Sequence, residues 1–462
     1  MNITQLLADI TPTSIDIEIQ GLCLNAANVQ TGDVFVALQG QSTHGSDYVD
    51  QAIENGCVAV LLDSQELECG VPTVRIDNLK QHLPALANRC YPQAAQVQVV
   101  GVTGTNGKTS VSYFISQLLD QLGVKNGLIG TLGITRSNVR SNNTTPDILT
   151  LYKVLHQYYL EGIDTAVLEV SSHALDQNRV AGVNFKQAVF TNLTQDHLDY
   201  HQNMDKYRDT KLKLFSLDSI KSVVINRDDA QGANFLAAAK STTQTTYGLD
   251  DFEQINANTQ GFLCQLDGFV FEIPLLGRFN LSNVLAALNS VEQLGFERAR
   301  IIPLLHHLFP PTGRMQRIKN TLAWVDYAHT PDAIENAINT LQTHYPDHKI
   351  RLVFGCGGDR DQDKRAKMGK IASKLANTIV LTNDNPRSED PQAIINDILG
   401  GIDDSFELDI TLDRQLAIET AITTLSENEC LLIAGKGHES TQEFKDKTLV
   451  LSDIEIAQNA LG

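Results

Sequence analysis

The 462-residue chain has no basic excess, no long apolar run and no paired cysteines, and each absence removes a class of function. Its 36 Lys and Arg stand against 55 Asp and Glu, a formal net charge of −19. Without a basic stripe, nucleic acid is not an expected partner. The acidic balance predicts a soluble, self-repelling surface. The seven cysteines, Cys23, Cys57, Cys69, Cys90, Cys264, Cys356 and Cys430, are odd in number and never in Cys-x-x-Cys spacing. That pattern indicates neither a zinc site nor a disulfide framework and fits reduced thiols in a cytosolic enzyme. The start, Met1-Asn-Ile-Thr-Gln5, lacks the charged and apolar regions of a secretory signal. No apolar run approaches a membrane-spanning length. A cytoplasmic location without membrane insertion is therefore expected. Repeats and low-complexity tracts are missing. The length and an ordinary 42% hydrophobic content suggest about three domains with sizeable cores.

What is present is organised around residues 99–110, Val-Val-Gly-Val-Thr-Gly-Thr-Asn-Gly-Lys-Thr-Ser. An apolar run ends in a glycine-rich turn, followed at once by a lysine and a hydroxyl residue. Val111, Phe114, Ile115, Leu118, Leu119 and Leu122 then recur at helical spacing. Strand, loop and helix in that order make a phosphate cradle. Glycines let backbone N–H groups curl around the anion, and the helix N-terminus adds partial positive charge. Lys108 can reach the terminal phosphates and Thr109 can hold Mg²⁺, so ATP with Mg²⁺ is the expected ligand. The strict motif wants glycine where this chain has Val102. A plain glycine turn is the bland alternative.

Residues 1–92 read as a small α/β scaffold or binding domain. It has strands near 32–38, 58–62 and 71–77 and a short helix at 48–55. Residues 93–311 alternate strands, at 97–102, 165–170, 188–193 and 222–226, with helical patterns, which predicts a mostly parallel sheet covered on both faces. Ligands should collect at the C-terminal edge of its strands. Pro310-Pro311-Thr312-Gly313 reads as a linker. Residues 312–462 form a third α/β set, with strands at 321–327, 349–354, 378–382 and 430–434. Each of these ends in a polar or glycine-rich loop at one sheet edge.

Several residues in those loops suit catalysis. Glu169 ends a strand beside the phosphate loop and could complete a Mg²⁺ shell with Thr109. His197 and His201 lie four apart but offer too few ligands for zinc. A metal or phosphate role for His197 and a structural role both remain open. Composition alone makes Lys211, in a polar helix at 207–215, a solvated lysine. Arg360 and Arg387, with Glu439, would suit a zwitterionic amino acid, carboxylate on the arginines and ammonium on the glutamate. Surface arginines are the alternative.

Five motifs now stand in order: Gly104-Thr-Asn-Gly-Lys-Thr-Ser110, Glu169-Val-Ser-Ser-His173, Thr191-Asn-Leu-x-x-Asp-His197, Val325-Asp-Tyr-Ala-His329 and Asp384-Asn-Pro-Arg387. Together the set resembles the Mur ligases, and within them the MurE-type ligases that add 2,6-diaminopimelate to UDP-N-acetylmuramoyl-L-alanyl-D-glutamate. The resemblance implies three domains: a UDP-substrate domain, a central ATPase and a C-terminal Rossmann-like domain that brings the amino acid. It implies amide formation through an acyl phosphate. Two Mg²⁺ sites are implied, at Thr109, Glu169, His197 and a carbamylated Lys211. The phosphate loop, Gly104, Thr105, Asn106, Gly107, Lys108, Thr109 and Ser110, would hold ATP, with Asn280, Asn283, Arg314, Asp326 and His329 on the nucleotide side. Leu24, Ala26, Asn143, Thr144, Thr145, Ser171, Gln177 and Arg179 match positions that hold the UDP-muramoyl-peptide. Arg360, Asp384, Asn385, Pro386, Arg387, Gly435 and Glu439 match the diaminopimelate pocket. A monomer is expected, and domain motion, since the amino-acid and phosphate loops fall in separate domains.

The first domain departs from the pattern. Asn25-Ala26-Ala27 stands where the family usually has Asp-Ser-Arg, and His44-Gly45-Ser46 where it has Asp-Gly-(Arg or His). A serine hydroxyl and an arginine are lost among the family's uridine contacts. This leaves an alternative: a paralogue that joins diaminopimelate or another amino acid to a different carboxylate. Folylpolyglutamate synthases share the phosphate loop, but Asp384-Asn-Pro-Arg387 speaks against them. No Asn-Lys-x-Asp guanine signature supports a GTPase-like switch.

Overall fold

A computed structural model describes residues 1–461 except 41–42, 64–66, 140, 142, 242, 404–405 and 407. The chain separates into two compact units, Met1–Thr246 and Tyr247–Gly462.

The first unit begins with a four-stranded parallel sheet in the order β1-β2-β3-β4: β1 Gly21–Cys23, β2 Asp33–Ala37, β3 Ala59–Leu62 and β4 Thr73–Arg75. Strands β2 and β3 are buried throughout; apart from Asp33, whose carboxylate accepts from the Gln30 N–H, they are apolar, as strands covered on both faces tend to be. The seven-stranded sheet follows, in the order β11-β10-β9-β5-β8-β6-β7. Its strands are β5 Gln98–Thr103, β6 Asn126–Gly130, β7 Gly133–Ile134, β8 Thr165–Glu169, β9 Phe185–Phe190, β10 Ser222–Asn226 and β11 Thr243–Tyr247. From β10 to β6 the pairings are parallel, and β7 turns back antiparallel on β6. The central position of β5 places the phosphate loop between the ends of β8 and β9, with Val102 opposite both Glu169 and Val189.

The strand expected at 188–193 is shifted to Phe185–Phe190. Residues 191 and 192 do other work: Thr191 and Asn192 turn their side chains onto the phosphate loop. Extended pairing stops where those side chains are needed.

The second unit opens with an antiparallel meander that the sequence reading did not anticipate: β12 Gln254–Asn258, β13 Gly261–Leu266 and β14 Phe269–Ile273. Phe262, Cys264 and Leu266 point inward from β13 at a period of two. A six-stranded sheet follows in the order β15-β16-β20-β17-β18-β19. It comprises β15 Gln316–Arg317, β16 Ala323–Asp326, β17 Lys349–Phe354, β18 Thr378–Leu381, β19 Leu408–Ile410 and β20 Glu429–Ala434. All pairings but β15–β16 are parallel, so the four expected loops do leave from one edge. A hairpin, β21 Thr441–Glu443 and β22 Thr448–Val450, lies just after them in the chain.

One buried ion pair ties two of those loops together. Arg414 and Asp453 are both fully buried, and the guanidinium makes two bonds to the carboxylate, at 2.7 and 2.6 Å. The same Arg414 donates to the carbonyls of Asn383, beyond β18, and Ala434, at the end of β20. No helix among the described residues is long and apolar enough to cross a membrane.

Candidate active site

In the first unit the phosphate loop is braced before any ligand arrives. Asn192 accepts from the Asn106 N–H at 2.9 Å, and Thr191 donates to the Asn106 carbonyl at 2.6 Å. Gly104 has φ +154°, and a Cβ there would meet Thr191 Oγ1 at 1.9 Å. Only glycine allows that close approach. The helix Lys108–Gln121 then starts at Lys108, with Thr109 and Ser110 buried in its first turn. Lys108 Nζ donates to the carbonyls of Gly104 and Thr105 at 3.0 and 2.7 Å, which folds its charge over the loop.

Three sequence-predicted residues converge on this loop. Glu169, 1% exposed, accepts from Thr109 Oγ1 at 2.9 Å. Lys211 is not a solvated lysine: it is 1% exposed, donates to the Gly104 carbonyl at 2.8 Å and sits 4.7 Å from the centre of the Tyr207 ring. It rides on the helix Met204–Phe215, which presents Tyr207, Lys211, Leu214 and Phe215 on its buried face. Burial, reinforced by the charge of Lys108, pushes the Lys211 amine well below its ordinary range. His197 adopts φ +53° at the head of the short helix Leu198–His201, in edge contact with the His173 ring at 4.9 Å. Burial, only partly offset by Asp196 and reinforced by His173 and Lys108, lowers His197 to about 4. Its imidazole is thus neutral near pH 7, as a metal ligand's must be. His201 resolves differently: it is buried and hydrogen-bonded to Ser172 at 2.9 Å, a packing role.

The residues expected on the acceptor side form a second group in the same unit. Thr145 donates to the Glu169 carbonyl at 2.7 Å and accepts from the Ser171 N–H at 3.0 Å. Thr144 bonds Thr131 at 3.1 Å, and the Asn143 carbonyl accepts from Ser141. Arg179 donates to Gln177 and to the Thr145 carbonyl. Gln177 and Arg179 line a cleft of about 540 Å³ with Leu24, Leu38, Asp63 and Asp147 among its other walls. Ala26 is instead buried in the apolar cluster of Phe35, Val49 and Val60. Asn25 accepts from the Ala27 N–H at 3.0 Å, capping its own turn. His44 pairs with Asp63 at 2.8 Å.

In the second unit, Asn280 and Asn283 lie one turn apart on the helix Arg278–Gln293, bonded to each other at 3.2 Å. Arg314 covers the Tyr327 ring at 4.4 Å. Asp326 accepts from the N–H groups of Met315 and Ala328; burial raises its pKa, with Arg314 opposing. His329 contacts the Tyr327 carbonyl through Nδ1 at 2.8 Å. At the β17 and β18 loops, Arg360 and Arg387 flank Gly357, where an added Cβ would lie 3.7 and 3.1 Å from them. Arg387 donates through Nε to Glu443 at 2.9 Å and through one terminal nitrogen to the Gly358 carbonyl at 2.8 Å. Asp384 and Pro386 are buried in the same loop, and the space beside Gly435 is filled by Asp384 Oδ2. Glu439 accepts from Asn385 at 3.0 Å.

Family models match three stretches: "Mur ligase family, catalytic domain" over residues 18–91, "Mur ligase middle domain" over 102–291 and "Mur ligase, glutamate ligase domain" over 313–437. A protein of Chromobacterium violaceum named UDP-N-acetylmuramoyl-L-alanyl-D-glutamate–2,6-diaminopimelate ligase is 40% identical, covering 95% of this chain and 93% of its own. The chain belongs to the Mur ligase family. A Xanthomonas oryzae protein of the same name is 39% identical over 100% of this chain and 97% of its own. A solved structure of an enzyme of that name shares 33% identity and a TM-score of 0.65, over 100% of this chain and 99% of its own. A Thermotoga maritima MurF structure with ADP, 17% identical over 96% of this chain and 98% of its own, has a TM-score of 0.65 and shows the same fold. The three-domain α/β architecture is that of the Mur ligases.

Sequence reasoning missed how this Mur ligase holds its central carboxylate. Thr131 donates to Glu169 twice, through its N–H to Oε1 at 2.9 Å and through Oγ1 to Oε2 at 3.1 Å. A Cβ on the preceding Gly130 would lie 2.1 Å from Glu169 Oε1. The signal was a Gly-Thr pair ending an apolar strand, which alone says only turn. Thr131→Val keeps the N–H and deletes the hydroxyl. It is expected to lower kcat/KM about 10-fold, whereas Thr131→Ser stays within about 3-fold of the parent, read by ADP release. Equal activity of the valine variant would show that the hydroxyl does not orient Glu169.

Proposed function

We propose that this chain is the ATP-dependent ligase that joins meso-diaminopimelate to the D-glutamate carboxylate of UDP-N-acetylmuramoyl-L-alanyl-D-glutamate, with domain boundaries near residues 92 and 311. The observation that carries the reading is the amine-side loop set. Arg360 and Arg387 flank one glycine, and the carboxylate of Glu439 lies on the neighbouring loop, bonded to Asn385. Diaminopimelate has a far-end carboxylate and ammonium; lysine has no such carboxylate, so Arg387 answers the charge that separates them. The names borne by the relatives agree with it.

The chemistry brings two anions together, a carboxylate and the terminal phosphoryl group of ATP. Lys108, the loop N–H groups and the helix N-terminus offset that repulsion. The oxygen donors Thr109 and Glu169, 2.9 Å apart and buried, fit a hard cation such as Mg²⁺. Glu169, neutral His197 and a carbamylated Lys211 would hold a second. When bound, Mg²⁺ draws negative charge from the phosphate oxygens. Lys211 suits carbamylation because burial favours its neutral amine, which adds CO₂ and releases a proton. Transfer of the phosphoryl group gives an acyl phosphate and ADP. The unprotonated amine of diaminopimelate attacks the acyl carbon, the C–O bond to phosphate breaks, phosphate leaves with the electron pair, and the new amide nitrogen gives up one proton, which the departing phosphate can take.

The cleft beside Gln177 and Arg179 is the acceptor's place in this reading. Asn25 and Ala26 favour a second reading, since one caps its own turn and the other is in the core: an acceptor without the uridine group. An activity matrix separates the two. Phosphate release is measured with UDP-muramoyl-dipeptide or the UDP-free muramoyl-dipeptide, each with meso-diaminopimelate or L-lysine. Release only with the UDP acceptor and diaminopimelate is expected. Turnover with lysine but not diaminopimelate would sink the amine assignment, and preference for the UDP-free acceptor would favour the second reading.

A further inference from the structure

Lys436 is 0% exposed, yet it lies in the Gly435–Glu439 loop at the edge where the amine would bind. A lysine so placed cannot touch a substrate. Its Nζ donates to Asn385 Oδ1 at 3.0 Å and to Glu439 Oε2 at 2.9 Å. Asn385 is thereby fully directed. Its Oδ1 accepts from Lys436 and from the Glu443 N–H at 3.0 Å, and its Nδ2 donates to Glu439 Oε2 at 3.0 Å. Donors on one side and an acceptor on the other permit a single orientation of the amide. Both bonds to Glu439 fall on Oε2, which leaves Oε1 unpartnered among the described residues, on a side chain 31% exposed. Through the Glu443 backbone the network continues to the ion pair of Glu443 with Arg387.

We infer that Lys436 is a positioning residue for amine selection: it anchors one oxygen of Glu439 and locks Asn385, so that the other oxygen is presented to the ammonium of the incoming amino acid. The inference rests on the proposed role of Glu439. Burying a cation against a carboxylate without further partners is unfavourable, and breaking such a pair leaves an uncompensated charge. Here the Asn385 bridge satisfies both ions at once. Asn385 is accordingly a strut between Lys436 and Glu439, as well as a member of the motif that ends in Arg387.

A mutant cycle tests this, with steady-state kinetics for meso-diaminopimelate at saturating ATP and UDP-muramoyl-dipeptide. Lys436→Met is expected to raise KM for diaminopimelate about 10-fold, with kcat within about 3-fold and KM for ATP unchanged. Glu439→Gln raises the same KM by at least about 10-fold. Because Lys436 acts through Glu439, the double variant matches E439Q within about 2-fold. If K436M alone does not fold, the double variant, which removes both charges together, still gives the decisive comparison with E439Q. A double variant that loses a further 10-fold or more, or a K436M with unchanged KM beside an impaired E439Q, overturns the inference and leaves the Glu439 site standing. An unchanged KM in E439Q overturns the site itself.

Discussion

Replacing Lys211 by alanine is expected to lower turnover by about 1000-fold or more, on the scale of losing a group that stabilises charge at the reacting phosphate. The size follows from where the side chain lies. It is buried, its Nζ is bonded to the Gly104 carbonyl, and a second lysine, Lys108, donates to that same carbonyl. Two ammonium groups converging on one buried point repel each other, and the buried one loses its proton more easily. A neutral amine adds CO₂; a protonated one cannot. The carbamate therefore forms less readily as pH falls and the amine regains its proton. Enzyme stripped of CO₂ should recover turnover when bicarbonate is added. A carbamate resonance should appear in carbon-13 NMR after equilibration with labelled bicarbonate and be missing in the alanine variant. Full activity of Lys211→Ala, or no such resonance in the parent, would reject the role.

Arg387→Ala should raise KM for diaminopimelate by at least about 100-fold and narrow its preference over L-lysine, with KM for ATP unchanged. The guanidinium is oriented in advance by Glu443 and by the Gly358 carbonyl, on a backbone held at φ +54°. Losing it removes the cation that answers the far-end carboxylate, a group lysine does not have. Arg387→Lys should not restore the parent value, because an ammonium lacks the planar fork. Kinetics with both amines decide the matter: an unchanged KM for diaminopimelate in the alanine variant would place the carboxylate elsewhere.

Much of this was legible in the chain, and the reason differs by element. The parallel sheets were readable because their buried strands are continuous apolar runs that end in polar loops, as β17 ends before Gly355 and β20 before Gly435. The meander β12–β14 was overlooked although its signal is there: Asp267-Gly268 stands between the apolar runs 262–266 and 269–273, the pattern of a tight hairpin. The pairing of Thr109 with Glu169 followed from strand order. Lys211 did not: it lies in a helix that mixes polar residues with Leu212, Leu214 and Phe215, and only the packing of that helix, with Nζ on the Gly104 carbonyl, removes it from water. Thr131, Lys436 and Arg414 share one difficulty. Each acts on another functional residue or its loop across the fold, and a contact between distant positions leaves no local pattern.

The Arg414–Asp453 pair makes two properties inseparable that an enzyme usually adjusts one at a time. The same guanidinium neutralises a buried carboxylate and holds the carbonyls of Asn383 and Ala434, the roots of the Asn385 and Lys436 loops. Neither partner can change first without leaving a bare charge in the interior. Any drift here must pass through a double change, and that change would also move the two loops proposed to choose the amine. If those loops select the substrate as proposed, resistance to unfolding and choice of substrate are inherited together.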